Sequence, residues 1–199
     1  MAVPVAQIEP IASADKDEEL FDIVDEQNNV IGQERRNIVH AQGIKHRAVY
    51  CFVFNSKGQL LLQQRSAKKK IGPLQWDLSI AEHLEPGEEY RQAAARGLRE
   101  ELGINVEAAQ LAGPLVPVHL RELRLPEKGV RDCEFVTSFR LDGWEGTVVA
   151  DPAEVHAWRF VSIGDVRRDM QESPDSFTAW FRDELHAVKY FSDGESDAI

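Results

Sequence analysis

The chain has 199 residues, 43% of them hydrophobic, with a formal net charge of −11 and a pI near 5.0. That length suits one domain with a sizeable core. The acidic balance argues against a general nucleic-acid or membrane-surface binder, which would need a basic face.

No run of about 18 apolar residues occurs, so no membrane span is expected. The opening "MAVPVAQIEPIASADKDEEL" lacks the basic start and long apolar centre of a secretory signal. Residues 1–17 read as a flexible tail, 18–192 as one domain and 193–199 as a second flexible tail. "ELFDIVDEQNNVIGQERR" reads as two short strands around Asn28-Asn29, residues that tolerate the positive φ of a tight turn. "HRAVYCFVFNSKGQLLLQQRS" reads as a hairpin, with β-rich runs Ala48–Phe54 and Gln59–Gln64 flanking Asn55-Ser56-Lys57-Gly58. The polar stretch "SAKKKIGPLQ" is a loop, and "WDLSIAEHL" a strand.

Pro86-Gly87 then introduces a helix that starts near Glu88. Tyr90, Ala94, Leu98 and Leu102 recur every four residues and predict its buried stripe. Glu88 and Glu89 sit where the helix dipole favours negative charge, and Gly103 fits the position that ends a helix in the left-handed conformation. Further on, "VEAAQLAGPLVPVHLREL", "RDCEFVTSFRLDG" and "VHAWRFVS" read as strands. Ser162 opens a short helix with Asp165 in a capping-box position, and "SPDSFTAWFRDELHAVKYF" is a terminal amphipathic helix. The order predicts an α+β domain with helices on both sides of a mixed sheet. Cys51 and Cys133 lie in strand-like runs and read as small buried residues in a reducing cytoplasm.

The chemistry concentrates in "AEHLEPGEEYRQAAARGLREELGI". Arg96 and Glu100 are four apart, so the guanidinium can hold that carboxylate. An isolated Glu100-Glu101 pair would ordinarily be a solvated helix face. The segment, however, resembles the signature of the Nudix superfamily, G-x5-E-x7-R-E-U-x-E-E-x-G-U with U aliphatic. Glu88, Arg96, Leu98, Glu100, Glu101, Gly103 and Ile104 fall on seven of its nine fixed positions. The resemblance covers roughly residues 20–161. It implies a Nudix-type α/β/α sandwich with a mixed β-sheet and a loop–helix–loop metal site. It also implies carboxylates that ligate Mg²⁺ or Mn²⁺, or orient a base, to hydrolyse a diphosphate. Two positions depart from the pattern. Glu82 stands at the first glycine, and Gly97 stands at a glutamate that often serves the hydrolases as metal ligand or water-activating base. Gly97 also weakens the helix by about 1 kcal/mol relative to alanine.

A second set of residues is similar to isopentenyl-diphosphate isomerase, a member of the same superfamily. The tract R-x3-K-x6-W appears as Arg65, Lys69 and Trp76. The isomerases bind a metal through three histidines and two acids, whose counterparts are His40, His46 and His83 with Asp132 and Glu134. The His40–His46 spacing is one residue short of the isomerase pattern. Glu134, between Cys133 and Phe135 in a strand fit for burial, needs a partner or a metal. The isomerase's cysteine aligns with Ala81, which cannot exchange a proton, and Leu84 stands where proline is usual.

These readings lead to one expected site. Glu100, Glu101 and Glu134 hold metal with His83 and His46. Glu101 and Glu134 serve as catalytic carboxylates with Arg96 orienting them, and Arg65, Lys69 and Trp76 bind substrate. The expected cofactor is Mg²⁺ or Mn²⁺. The expected partner is a small-molecule diphosphate, with no nucleic-acid polymer and no membrane. A homodimer would be in keeping with many relatives, but no interface is legible. The rival readings are an isomerase-like enzyme acting on a prenyl diphosphate, and a binding protein that kept the fold without turnover.

Overall fold

The computed structural model describes residues 16–190. The two expected tails lie outside these apart from Lys16 and Asp17. Strands β1 (Leu20–Val24) and β2 (Val30–Arg35) form an antiparallel hairpin turning through Asn28, whose φ is 64°. Helix α1 (Arg36–Gln42) follows directly. Nothing in the sequence marks this helix, because "RNIVHAQ" is too short to show a helical period.

The central strand is β3 (Lys45–Val53). It lies in a mixed sheet of order β6-β3-β8-β7, where β6 is Ile80–His83, β7 is His119–Leu125 and β8 is Val130–Leu141. β3 and β8 run parallel, and the other pairs are antiparallel. A second, antiparallel sheet has the order β5-β4-β9, with β4 at Leu60–Arg65, β5 at Trp76–Asp77 and β9 at Val155–Val161. The expected hairpin between β3 and β4 is therefore corrected. Its turn forms, with Gly58 N donating to Asn55 O at 3.0 Å, but the strands share only the Phe54–Leu60 bridge before entering different sheets. The reason is that β3 is apolar on both faces and must be covered on both. "WDLSIAEHL" likewise splits into two strands. Between them Ser79 Oγ donates to Leu61 O at 2.7 Å and accepts from Val53 N at 2.8 Å, tying the sheets together.

Alternation along β3 builds two cores. Val49, Cys51 and Val53 pack with Ala94, Leu98 and Leu102 of α2 (Tyr90–Leu102). Ala48, Tyr50 and Phe52 pack with Val166 and Met170 of α3 (Ile163–Glu172) and with Trp180, Phe181 and Leu185 of α4 (Ala179–Ala187). Each fully buried leucine or phenylalanine contributes about 1.5–3 kcal/mol. Helices thus cover both faces of a mixed sheet, the predicted α/β/α arrangement.

Helix α2 begins at Tyr90 rather than near Glu88. Glu89 is its N-cap in a reciprocal capping box with Gln92, and Glu88 turns back to accept from Glu85 N at 2.9 Å. Gly103 closes the helix at φ 64°, as expected. Ser162 caps α3 and accepts from Asp165 N at 3.1 Å. The terminal helix is shorter than predicted: residues Pro174–Ser176 form a separate 3₁₀ turn before α4. Cys51 and Cys133 are both buried and free.

Candidate metal and diphosphate site

Sheet register alone assembles the first group of polar side chains. On β3, His46 pairs with Glu134 of β8, and Glu134 pairs in turn with Arg121 of β7. Directly paired residues point to the same face, so His46, Glu134 and Arg121 form a row across the sheet. Asp132 lies two residues before Glu134 and shares that face. His83 pairs with Ala48, two residues after His46, and shares it too. His40 reaches the group from α1.

One donor atom from each of His40, His46, His83 and Asp132 lies within 4.8 Å of the others. His46 is fully buried, and its Nδ1 donates to Ile44 O at 3.0 Å, which leaves the Nε2 lone pair facing the group. Neither His46 Nε2 nor Asp132 Oδ1 has a hydrogen-bond partner, although both are buried. Buried polar atoms of this kind normally find one. Burial holds the His46 imidazole below its ordinary pKa, and burial again holds His83 well below, a direction that favours the neutral rings a metal requires. The donors fit a divalent ion, and a mixed imidazole–carboxylate set suits Mn²⁺ or Zn²⁺ better than Mg²⁺.

Glu134 belongs to the same group. Its Oε1 lies 3.1 Å from His83 Nε2, and its Oε2 accepts from Arg121 Nε at 3.0 Å. Burial would raise its pKa, but the Arg121 charge and then the His83 contact outweigh burial and hold the carboxyl well below the usual range. Arg121 also donates to Asp132 Oδ2 at 3.0 Å. Burial, and then repulsion by Glu134, push Asp132 up to about 7.

The signature helix lies on the other face of β3. Arg96 is its clamp. Its Nε donates to Glu88 Oε1 at 3.0 Å, its Nη2 to Glu88 Oε2 at 2.9 Å and to His83 O at 2.7 Å, and its Nη1 to Glu100 Oε2 at 3.4 Å. Glu101 is buried and accepts from Gln63 Nε2 at 2.9 Å. Burial, then the neighbouring Glu82 charge, raise its pKa well above the ordinary value. Glu100 is half-exposed at the helix surface, between Arg96 and Arg99.

A cavity of about 620 Å³ opens between these walls and is lined by His40, His83, Asp132 and Glu134 as well as Glu82, Glu100 and Glu101. The expected residues thus fall into two groups along one cavity. Glu134, His46 and His83 stand with His40 and Asp132, while Glu100 and Glu101 stand with Arg96 on the α2 side. The division follows from strand alternation, which sends Glu82 and His83 to opposite faces of β6.

Of the expected substrate contacts, Arg65 and Lys69 line the cavity. Arg65 Nη1 donates to the buried Asp77 at 3.2 Å and its guanidinium lies 5.0 Å over the Trp180 ring, while Lys69 pairs with Glu154. Trp76 does not line the cavity. Its ring lies under the Arg159 guanidinium at 4.4 Å, and Trp180 is the tryptophan on the cavity wall. On β5 it is the neighbouring Asp77 that faces Arg65 and Trp180, so strand alternation turns Trp76 to the opposite side. Arg121 and Trp180 escaped the sequence reading. Arg121 could have been suspected from the alternation in "HLRELRL", but only the β7–β8 register reveals that it meets Glu134.

A NUDIX domain profile matches residues 44–181, well over half of the chain. The chain is 33% identical over 168 residues to an isopentenyl-diphosphate Delta-isomerase of Serratia proteamaculans, covering 82% of this chain and 88% of that protein. It is 41% identical over 138 residues to an uncharacterized Nudix hydrolase of Nostoc, covering 63% of this chain and 82% of the other. Among solved structures, the Deinococcus radiodurans protein DR0079 superposes with a TM-score of 0.64 at 22% identity, covering 85% of this chain and 99% of that one. The dihydroneopterin triphosphate pyrophosphohydrolase of E. coli superposes with a TM-score of 0.52 at 20% identity, covering 72% and 92%. The fold is therefore that of the Nudix hydrolases. The chain belongs to the Nudix domain family.

Proposed function

We propose that this protein is a divalent-metal-dependent hydrolase of the diphosphate linkage in a nucleoside diphosphate derivative or another small organic diphosphate. One observation carries the reading: the Glu100-Glu101 pair, with Arg96 gripping its surroundings, faces a cavity whose other wall is a buried histidine–carboxylate donor set. A divalent cation bound there would neutralise diphosphate charge and stabilise the charge that develops on phosphoryl transfer. His40, His46, His83 and Asp132 would hold it, with Glu134 kept ionised beside them by Arg121. Glu101, on the opposite wall, would hold metal there and so help activate the attacking water. Arg65 and Lys69, on the rim of an otherwise acidic protein, offer positive charge to the phosphates. The small-molecule partner is in keeping with the acidic balance, and among the described residues no helix is long and apolar enough to cross a membrane.

A second reading is supported by the same histidine–carboxylate group, which is the set the isomerase resemblance names, and by the relatives named as isomerases. Against it stands Ala81, on the cavity wall where that resemblance places the cysteine.

The discriminating experiment incubates Mn²⁺-loaded protein with isopentenyl diphosphate and with nucleoside di- and triphosphates. Phosphorus NMR follows phosphate release and proton NMR follows double-bond migration. Hydrolysis is expected. Migration without phosphate release would replace this reading with the isomerase one. Calorimetric binding with neither outcome would favour a binding protein.

A further inference from the structure

The two departures from the Nudix pattern, Glu82 and Gly97, meet in space. A Cβ built on Gly97 would lie 3.2 Å from Glu82 Cβ, 3.3 Å from Glu82 Cγ and 3.3 Å from Ile80 Cδ1. The stem of Glu82 therefore fills the space that a side chain at 97 would need. Position 97 is itself buried within α2. A glutamate at 97 and one at 82 cannot both be housed there without a shift of strand or helix.

What Glu82 does with that space is specific. It pairs with Val49 on the α2-facing side of β6, and its Oε2 lies 3.3 Å from Arg96 Nη1. Its carboxyl lines the cavity with a side chain only 19% exposed, and its charge acts on Glu101. Keeping a glycine inside a helix costs about 1 kcal/mol, and placing a carboxylate beside another buried one costs more. Close approach of strand and helix accounts for the glycine, since any Cβ at 97 meets the Glu82 Cβ at 3.2 Å, but it does not account for a carboxylate at 82, where an alanine would remove the repulsion.

We infer that Glu82 delivers from the strand the carboxylate that a Nudix chain otherwise carries on the helix at position 97. The glutamate and the glycine have exchanged places, and Glu82 holds a divalent cation together with Glu101. The inference deepens the hydrolase reading and rests on it for the identity of the reaction, but not for the cation.

The test is a reciprocal exchange. Glu82→Gly, Glu82→Gln, Gly97→Glu and the double variant E82G/G97E are each titrated with Mn²⁺ by electron paramagnetic resonance. One equivalent of Zn²⁺ is added first to fill the histidine-containing set. Hydrolysis is followed in parallel. Glu82→Gly should weaken this Mn²⁺ site by at least about tenfold, and Glu82→Gln, which keeps the shape and removes the charge, should do the same. Gly97→Glu alone should lower the melting temperature through the clash. E82G/G97E should return Mn²⁺ binding to within about threefold of the unaltered protein. Wild-type Mn²⁺ affinity in both Glu82 variants would overturn the inference, as would a double variant no better than Glu82→Gly. If the Mn²⁺ cycle closes while the unaltered protein hydrolyses no diphosphate, the exchange stands and the hydrolase reading falls. If hydrolysis is present and indifferent to Glu82, the exchange falls alone.

Discussion

Arg121 Nε donates to Glu134 Oε2 at 3.0 Å, directly across the β7–β8 pairing. The guanidinium also reaches Asp132 and so serves as counter-charge to two buried carboxylates. Arg121→Met should therefore destabilise the metal-free protein by about 3–5 kcal/mol, because the carboxylates are left buried and uncompensated. Mn²⁺ should recover part of the loss, a divalent cation replacing the missing charge. Thermal melts with and without Mn²⁺ check both effects, and an unchanged melting temperature would deny Arg121 this role. Arg121→Lys should restore only part of the stability, since an ammonium supplies the charge but cannot match the geometry of both partners.

His46 tests the metal assignment from the other side. Its Nε2 lacks a hydrogen-bond partner, while Nδ1 is fixed by Ile44 O. His46→Ala should weaken Mn²⁺ or Zn²⁺ binding by at least about tenfold, removing about 1.4 kcal/mol of metal-linked stabilisation. The measurement is the thermal shift on adding metal. An equal shift in the variant would place the metal elsewhere.

Glu101 is predicted to trade stability for function. It sits buried beside Glu82, whose charge raises its pKa after burial does. Glu101→Gln removes that repulsion, and the new amide oxygen can still accept from Gln63. The metal-free variant should melt higher than the unaltered protein, while hydrolysis falls by about 10²-fold or more. Paired melting and rate measurements check the opposite signs.

Much of this site was legible in the sequence, and the limits have physical causes. The four-residue apolar repeat marks the helix Tyr90–Leu102, and its spacing puts Arg96 against Glu100. The isomerase resemblance points to His46, His83 and Glu134, and the structure brings them together. What the chain did not reveal was the division into two walls. That depends on which residues pair across β3, β6 and β8, and a one-residue change of register would reverse it. Trp76 misled because an aromatic before the signature can point either way on a two-residue strand. Trp180, far along the chain, takes the cavity position through the docking of α4.

A pH dependence follows from a pair outside the cavity groups. His119 Nε2 lies 3.5 Å from Glu184 Oε2, and that carboxylate raises the His119 pKa above its ordinary 6.5. The folded protein then binds a proton more tightly than the unfolded chain does. The contribution is full below pH 6.5 and is lost as pH rises through the folded value. In metal-free protein, the stability advantage of the unaltered chain over His119→Gln should shrink between about pH 6 and 8. Denaturant melts across that range measure it, and an advantage that grows with pH would contradict the pairing.

The central claim is water attack on a phosphorus atom in this cavity, and oxygen-isotope labelling reads it most directly. Mn²⁺-loaded protein is incubated in ¹⁸O-enriched water with a nucleoside diphosphate, a nucleoside triphosphate and isopentenyl diphosphate, and the products are followed by phosphorus NMR. The account predicts ¹⁸O in one product phosphate of at least one substrate, absent without metal and with Glu101→Gln. Unlabelled, uncleaved diphosphates throughout, or equal labelling by Glu101→Gln, would contradict it.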